Sequence, residues 1–205
     1  MPALNAFFKS SGRLEAFSDG VFAIAITLLI LEIRVPSVED ASTPPLLWHA
    51  LISRWPSYFA FLLSFGTIFV AWIGHHLMLQ QVKVVTLSLV WTNALFLLFV
   101  TFLPFPTALV AEHLTHPSGS VAVALYAASN AMNSFLYLRL SQVTRLAAQG
   151  ADADPVIRFA ALNAWGGMVV CLGCIGLAFV TPIGALLLVA AVWIWWSLPQ
   201  RAAQE

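Results

Sequence analysis

Charged residues are scarce in this sequence, and cysteines are scarcer still. Only 9% of the 205 residues are charged and the formal net charge is zero, whereas a soluble domain has about 25% charged residues. No basic cluster offers a surface for nucleic acid, and two cysteines cannot build a disulfide framework. Hydrophobic residues make up 60% of the chain, more than a soluble fold of this size can bury. These features exclude a soluble enzyme, a disordered protein and a nucleic-acid-binding protein.

Long uncharged runs predict six membrane-spanning helices in one domain, residues 1–205. A span needs about 20 apolar residues, and the runs are too continuous for the alternating strands of a barrel. A turn signal at Thr181–Gly184 divides the last run into two spans. Pro104 and Pro106 are expected to break or kink the third span. We therefore expect an all-α integral membrane protein with spans at about 13–34, 55–78, 84–110, 118–141, 156–180 and 182–199.

Basic residues mark one side of the membrane as cytoplasmic. Of the nine Lys and Arg residues, only Arg34 and Arg54 fall on the side opposite the termini. The positive-inside rule therefore predicts cytoplasmic N- and C-termini. No small-x-small cleavage site follows the first apolar stretch, so we expect it to remain as a span. The basic residues on the cytoplasmic side are Lys9, Arg13, Lys83, Arg139, Arg145, Arg158 and Arg201, and the tryptophans expected at the membrane interfaces are Trp48, Trp55, Trp193, Trp195 and Trp196.

The first span is short between its charges. Only Gly20 to Leu31 separate Asp19 from Glu32, which covers about 18 Å of a hydrocarbon core about 30 Å thick. Asp19 then either lies at membrane depth, where it needs hydrogen-bond donors, or lies among the cytoplasmic headgroups while Arg13 snorkels. The polar residues at matching depth in spans two and three are Trp72, His75, His76, Trp91, Thr92 and Asn93.

Helical periodicity divides the first span into two faces. One face carries Arg13, Phe17, Gly20, Ile24, Thr27 and Leu31, whereas Ser18 and Asp19 point elsewhere. The first face either lines a cavity or contacts lipid, and the periodicity alone favours neither.

Three stretches resemble one known family of membrane proteins. They are the run from Arg13 through Phe17-Ser18-Asp19, the run from Trp72 to His75 and His76, and the run from Asn93 to Pro104 and Pro106. Together they resemble the endosomal and lysosomal potassium channel family (transmembrane protein 175 type), most closely its bacterial single-repeat members.

The resemblance implies a homotetramer with six helices per subunit and a central pore lined by the first helix. It implies that Ile24 forms a hydrophobic constriction, Thr27 a polar layer and Leu31 an apolar ring further out. It also implies that the signature residues hold the first helix against spans two and three. These residues are Arg13, Phe17, Ser18 and Asp19, with Trp72, His75, His76 and Asn93 as the matching polar positions.

The expected function is passive, potassium-selective cation conduction across a bacterial plasma membrane. Apolar rings gate pores by dewetting, and the sequence has no filter loop of the TVGYG kind. We expect no enzymatic activity, no metal site and no cofactor, only the permeant potassium ion. The expected partners are further copies of the chain, the lipid bilayer and monovalent cations, and not nucleic acid.

Two points stay open in the sequence. Glu32, Glu39 and Asp40 either raise the cation concentration at the outer mouth or are ordinary solvated loop charges. The alternative function is a proton-coupled secondary transporter that uses Asp19 with His75 and His76.

Amides inside the later spans, among them Asn133 and Asn163, are expected to form interhelical hydrogen bonds.

Overall fold

The computed structural model describes residues 11–148 and 154–197, and every regular element in these ranges is a helix. Lys9 and Arg201, used above for the orientation, lie outside the described residues, as do residues 198 and 199 of the sixth expected span. The helices are α1 (Gly12–Leu28), a 3-10 segment (Leu29–Glu32), α2 (Pro44–Ser53), α3 (Trp55–Leu79), α4 (Leu87–Phe102), α5 (Pro104–His113), α6 (Gly119–Ala148), α7 (Asp154–Leu177) and α8 (Pro182–Ser197).

Five of these units are long and apolar enough to cross a membrane. They are α1 with its 3-10 segment, α3, α4 with α5, α6 and α7. The sixth expected span corresponds to α8, an apolar helix that is shorter in its described part, so a sixth crossing stays a prediction. The fourth expected span corresponds to α6, which runs past residue 141 to Ala148. The fifth corresponds to α7, which ends at Leu177 rather than at 180.

Prolines and one threonine set several of the helix starts. Pro44, Pro104 and Pro182 are the first residues of α2, α5 and α8, where a missing N–H costs no helical hydrogen bond. Thr86 precedes α4, and its side chain accepts a hydrogen bond from the Leu89 N–H at 3.2 Å, as a helix N-cap does.

The third span is broken between α4 and α5, as the sequence predicts. Pro104 has no N–H to continue the helix, and the Leu103 N–H bonds to the Val100 carbonyl, only three residues earlier. The Phe99 carbonyl, which is the usual α-helical acceptor for Leu103, receives a hydrogen bond from Asn133 Nδ2 of α6 at 3.2 Å. The amide of Asn133 thus links two helices at the break.

Two buried clusters hold the helices together, and α6 contributes to both. The first cluster fixes the inner face of α1 against α3, α4 and α6, with Phe22, Ile68, Phe96 and Leu140 at its centre. The second joins α3, α5, α6, α7 and α8 and is rich in alanine, for example Ala60, Ala127 and Ala185. Small side chains let membrane helices approach closely, and van der Waals packing then supplies their association energy.

Trp193 departs from its expected place at a membrane interface. A Cβ atom on Gly66, halfway along α3, would lie 2.9 Å from the Trp193 ring. Only a residue without a side chain leaves room for this indole, so Trp193 packs between α8 and α3 in the interior of the span. A tryptophan with a glycine opposite it serves packing rather than interfacial anchoring.

Candidate functional site

The two faces of α1 differ sharply in their surroundings. Leu14, Ser18, Phe22 and Ala25 are buried in the chain, and Leu29 of the 3-10 segment continues this row. The opposite face is exposed and carries the positions expected to line a pore. Ile24 is 60% exposed and Leu31 68% exposed, and Arg13, Gly20 and Thr27 are exposed as well.

A directed series of hydrogen bonds fixes the buried face of α1. His75 Nε2 of α3 donates to Asn93 Oδ1 of α4 at 2.7 Å, because an amide oxygen can only accept. Asn93 Nδ2 then donates to Ser18 Oγ at 3.0 Å, and Ser18 donates to the Leu14 carbonyl at 2.8 Å. Each hydrogen in the series has an acceptor, so three helices are joined at one buried point.

Asp19 lies beside this series and receives a donor from α3. Trp72 Nε1 donates to Asp19 Oδ1 at 2.8 Å. His76 Nδ1 lies 3.8 Å from Asp19 Oδ2, which is too long for a hydrogen bond but close enough for charge attraction when the imidazole is protonated. We call Ser18, Asp19, Trp72, His75, His76 and Asn93 the polar network.

Aromatic rings enclose the polar network on its inner side. The His75 ring lies 5.3 Å from the Phe22 ring and 5.7 Å from the Phe96 ring, centroid to centroid. Trp72 and His76 stack on each other at 5.9 Å. Ser18, His75 and Asn93 are at most 1% exposed, and burial in a low-dielectric surrounding strengthens their hydrogen bonds relative to those in water.

Three of the expected residues have exposed side chains. The Phe17 side chain is 61% exposed and lies on the same face of α1 as Ile24, so its bracing against spans two and three stays a prediction. Arg13 also lies on the exposed face. Trp91, a candidate partner for Asp19, is 68% exposed. Helical phase places Phe17 and Arg13 with Ile24, and this placement agrees with the structure.

Thr27 presents oxygen lone pairs on the exposed face. Its hydroxyl donates to the Ile24 carbonyl one turn earlier at 2.9 Å. Because that bond uses the single hydroxyl hydrogen, the oxygen offers only acceptor sites to a species facing α1. Such an oxygen favours cations over anions.

The three acids expected near the outer mouth have different surroundings. Glu32 closes the 3-10 segment and lines a polar cavity together with Arg34 and Glu112. Glu39 and Asp40 are exposed in the loop before α2, where the Asp40 N–H donates to Ser37 Oγ.

The sequence reasoning missed two polar contacts between helices. Arg34 Nη2 lies 2.6 Å from Glu112 Oε1 and links the end of the first span to α5. Ser64 Oγ lies 2.7 Å from Thr107 Oγ1 and donates to Tyr126 Oη at 3.1 Å. Ser64 and Thr107 are hydroxyls inside apolar runs, which is the one signal that pointed to them.

In residues 11–148 and 154–197, no three His, Cys, Asp or Glu side chains form a group that would hold a metal ion.

Comparison with known proteins finds relatives for most of the chain. The model of the family described as endosomal/lysosomal potassium channel TMEM175 matches residues 13–104. A protein from Chamaesiphon minutus named as a potassium channel is 47% identical over 152 residues, which cover 72% of this chain and 74% of the relative. The human protein named endosomal/lysosomal proton channel TMEM175 is 40% identical over 100 residues, which cover 46% of this chain and 20% of the relative.

A solved structure extends the similarity to nearly the whole fold. The crystal structure of a lysosomal potassium-selective channel TMEM175 homolog from Chamaesiphon minutus superposes with a TM-score of 0.82 at 37% sequence identity. The match covers 91% of this chain and 96% of the solved chain. The later helices, which carry none of the recognised motifs, therefore share the same arrangement.

Proposed function

The chain belongs to the TMEM175 family of endosomal/lysosomal potassium channels, and from this membership we propose that it conducts potassium ions passively through a homotetrameric pore lined by α1. In this proposal the single six-span domain has both termini in the cytoplasm and lies in a bacterial plasma membrane. Potassium is the permeant ion and no cofactor takes part. The partners are three further copies of the chain and the surrounding lipid.

One observation carries this proposal, the division of α1 into an anchored face and an exposed face. The exposed face is apolar at Ile24 and Leu31 and carries an acceptor oxygen at Thr27. Four Ile24 side chains, one from each subunit, form an apolar ring that dewets when it narrows, and the Thr27 oxygens contact a dehydrating cation. The exposed acids Glu39 and Asp40, repeated fourfold, raise the local cation concentration at the mouth.

The polar network has a mechanical role in this proposal. The pore keeps a constant radius when the side of each α1 that faces away from the pore is bonded to its own subunit. Ser18 and Asp19 make these bonds from α1 to α4 and α3. Because the hydrogen bonds lie on the side away from Ile24, the network sets the position of the constriction without contacting the ion.

The alternative function uses the same residues for proton coupling. Asp19 and His76 approach within 3.8 Å, so a carboxylate and an imidazole face each other at the position that this alternative uses. Flux that requires a proton gradient would then replace passive conduction.

The decisive experiment measures potassium flux into liposomes that contain the purified protein, with the potential clamped by an ionophore and sodium as the comparison ion. We expect uncoupled potassium flux that exceeds sodium flux, and a severalfold higher flux in Ile24→Asn. The matched control is Ile52→Asn, the same change at an exposed position in α2, which should leave the flux unchanged. Flux that appears only with a proton gradient, or an unchanged Ile24→Asn, contradicts the proposal.

A further inference from the structure

A polar cavity of about 360 Å³ lies where the first span ends, α3 begins and α5 ends. Glu32 and Arg34 come from the end of the first span, Arg54 and Ser57 from the start of α3, and Glu112 and His116 from the end of α5 and the following loop. The cavity lies apart from the Ile24 position, and the proposed conduction does not use it.

The cavity walls carry one ion pair, Arg34 with Glu112, and two further charged side chains, Arg54 and Glu32. Arg34 and Glu112 neutralise each other across 2.6 Å. The side chain of Arg54 makes no hydrogen bond or ion pair within the described part of the chain, so its guanidinium lacks an acceptor from the protein there. Glu32 adds a carboxylate to the same walls. The cavity thus offers one positive and one negative group to a ligand.

The cavity opens at the level where lipid headgroups lie. Arg54 sits between α2 and α3, at the start of a membrane span. Trp48 and Trp55, on either side of it, are 67% and 44% exposed, and tryptophan favours the interfacial layer. The apolar helix α2 buries no residue in the chain, which suits a helix lying against lipid.

We propose that this cavity binds the headgroup of a zwitterionic phospholipid of the phosphoethanolamine type. Arg54 holds the phosphate through the paired donors of its guanidinium, and Glu32 holds the ammonium. An anionic phospholipid without an ammonium group satisfies Arg54 but leaves Glu32 unmatched. The inference rests on membrane insertion alone and is independent of which ion the protein conducts.

Native mass spectrometry of the detergent-purified protein tests the proposal, with phosphatidylethanolamine or phosphatidylglycerol added. We expect the protein to retain phosphatidylethanolamine preferentially and Arg54→Gln to bind it about tenfold more weakly. Glu32→Gln should bind both lipids equally. Arg139→Gln is the matched control, because Arg139 is exposed on α6 and bonds only to Gln142 within the described residues.

The possible outcomes either test the proposal or distinguish a lipid from a soluble ligand. Equal retention of phosphatidylethanolamine by the wild type and by Arg54→Gln overturns it. If Arg54→Gln does not fold, Arg54→Lys and Glu32→Gln carry the test, and an unchanged lipid preference in both overturns it. Displacement of bound lipid by millimolar glycerophosphoethanolamine supports the same headgroup chemistry from a soluble source, whereas resistance to displacement supports a lipid. Because this experiment measures bound lipid, its outcome does not depend on whether the protein conducts potassium.

Discussion

At the residue scale, Asp19 is the side chain whose role can be read in two ways. Its Oδ1 accepts from Trp72 and its Oδ2 faces His76 at 3.8 Å. The first contact needs only an acceptor oxygen, whereas the second gains from a negative charge. An amide in the same position keeps the acceptor and removes the charge, so the two roles separate experimentally.

We expect Asp19→Asn to keep most of the potassium flux and Asp19→Ala to lower it about fivefold. The alanine removes the acceptor for the Trp72 indole, and a lost hydrogen bond of about 1 kcal/mol corresponds to that factor. Liposome flux at equal protein density is the measurement. Loss of flux in Asp19→Asn with retention of assembly would instead assign the charge to transport.

At the scale of helices, one side chain fastens three elements. Asn93 of α4 accepts from His75 of α3 and donates to Ser18 of α1. The later spans also contain an amide without such contacts. The Asn163 side chain of α7 forms no hydrogen bond with the described residues, so the interhelical bond expected of it is absent there. The pair therefore compares an amide that joins helices with one that does not.

Asn93→Leu is expected to lower the free energy of unfolding by about 1–3 kcal/mol, because the buried His75 N–H and Ser18 hydroxyl each lose a partner. Asn163→Leu should change it by about 0.5 kcal/mol or less, the usual range for sites without such features. Thermal melting in detergent, followed by size-exclusion chromatography, measures both. Equal melting of the two variants would show that the series carries little of the packing energy.

At the scale of the whole molecule, the proposed pore needs several chains, because each chain contains α1 once. The exposed face of α1 cannot enclose an ion path alone, and large apolar side chains such as Phe17 and Ile24 are left uncovered in the single chain. Mass measurement of the purified protein should therefore give four times the 22.3 kDa of one chain. A monomeric mass under conditions that preserve potassium flux would contradict a pore shared between subunits.

Much of this architecture could be predicted from the sequence, because bilayer thickness and helical periodicity are strong constraints. Five of the six expected spans, the break at Pro104 and the separation of Ser18 from Ile24 all follow from these constraints. Periodicity assigns residues to a face, but it does not say what covers that face. Trp193 opposite Gly66 and Arg34 beside Glu112 join residues far apart in the chain, and neither spacing nor composition carries a signal for such pairs.

The four-residue 3-10 segment at the end of α1 gives the first span two different values of rise and rotation per residue. An α-helix turns 100° and rises about 1.5 Å per residue, whereas a 3-10 helix turns 120° and rises about 2.0 Å. Rewinding Leu29–Glu32 as α-helix would shorten it by about 2 Å and sweep Leu31 through about 60° around the axis. Such a rewinding would turn the outer end of the first span relative to its buried part at Ser18 and so change which side of Leu31 faces the proposed pore.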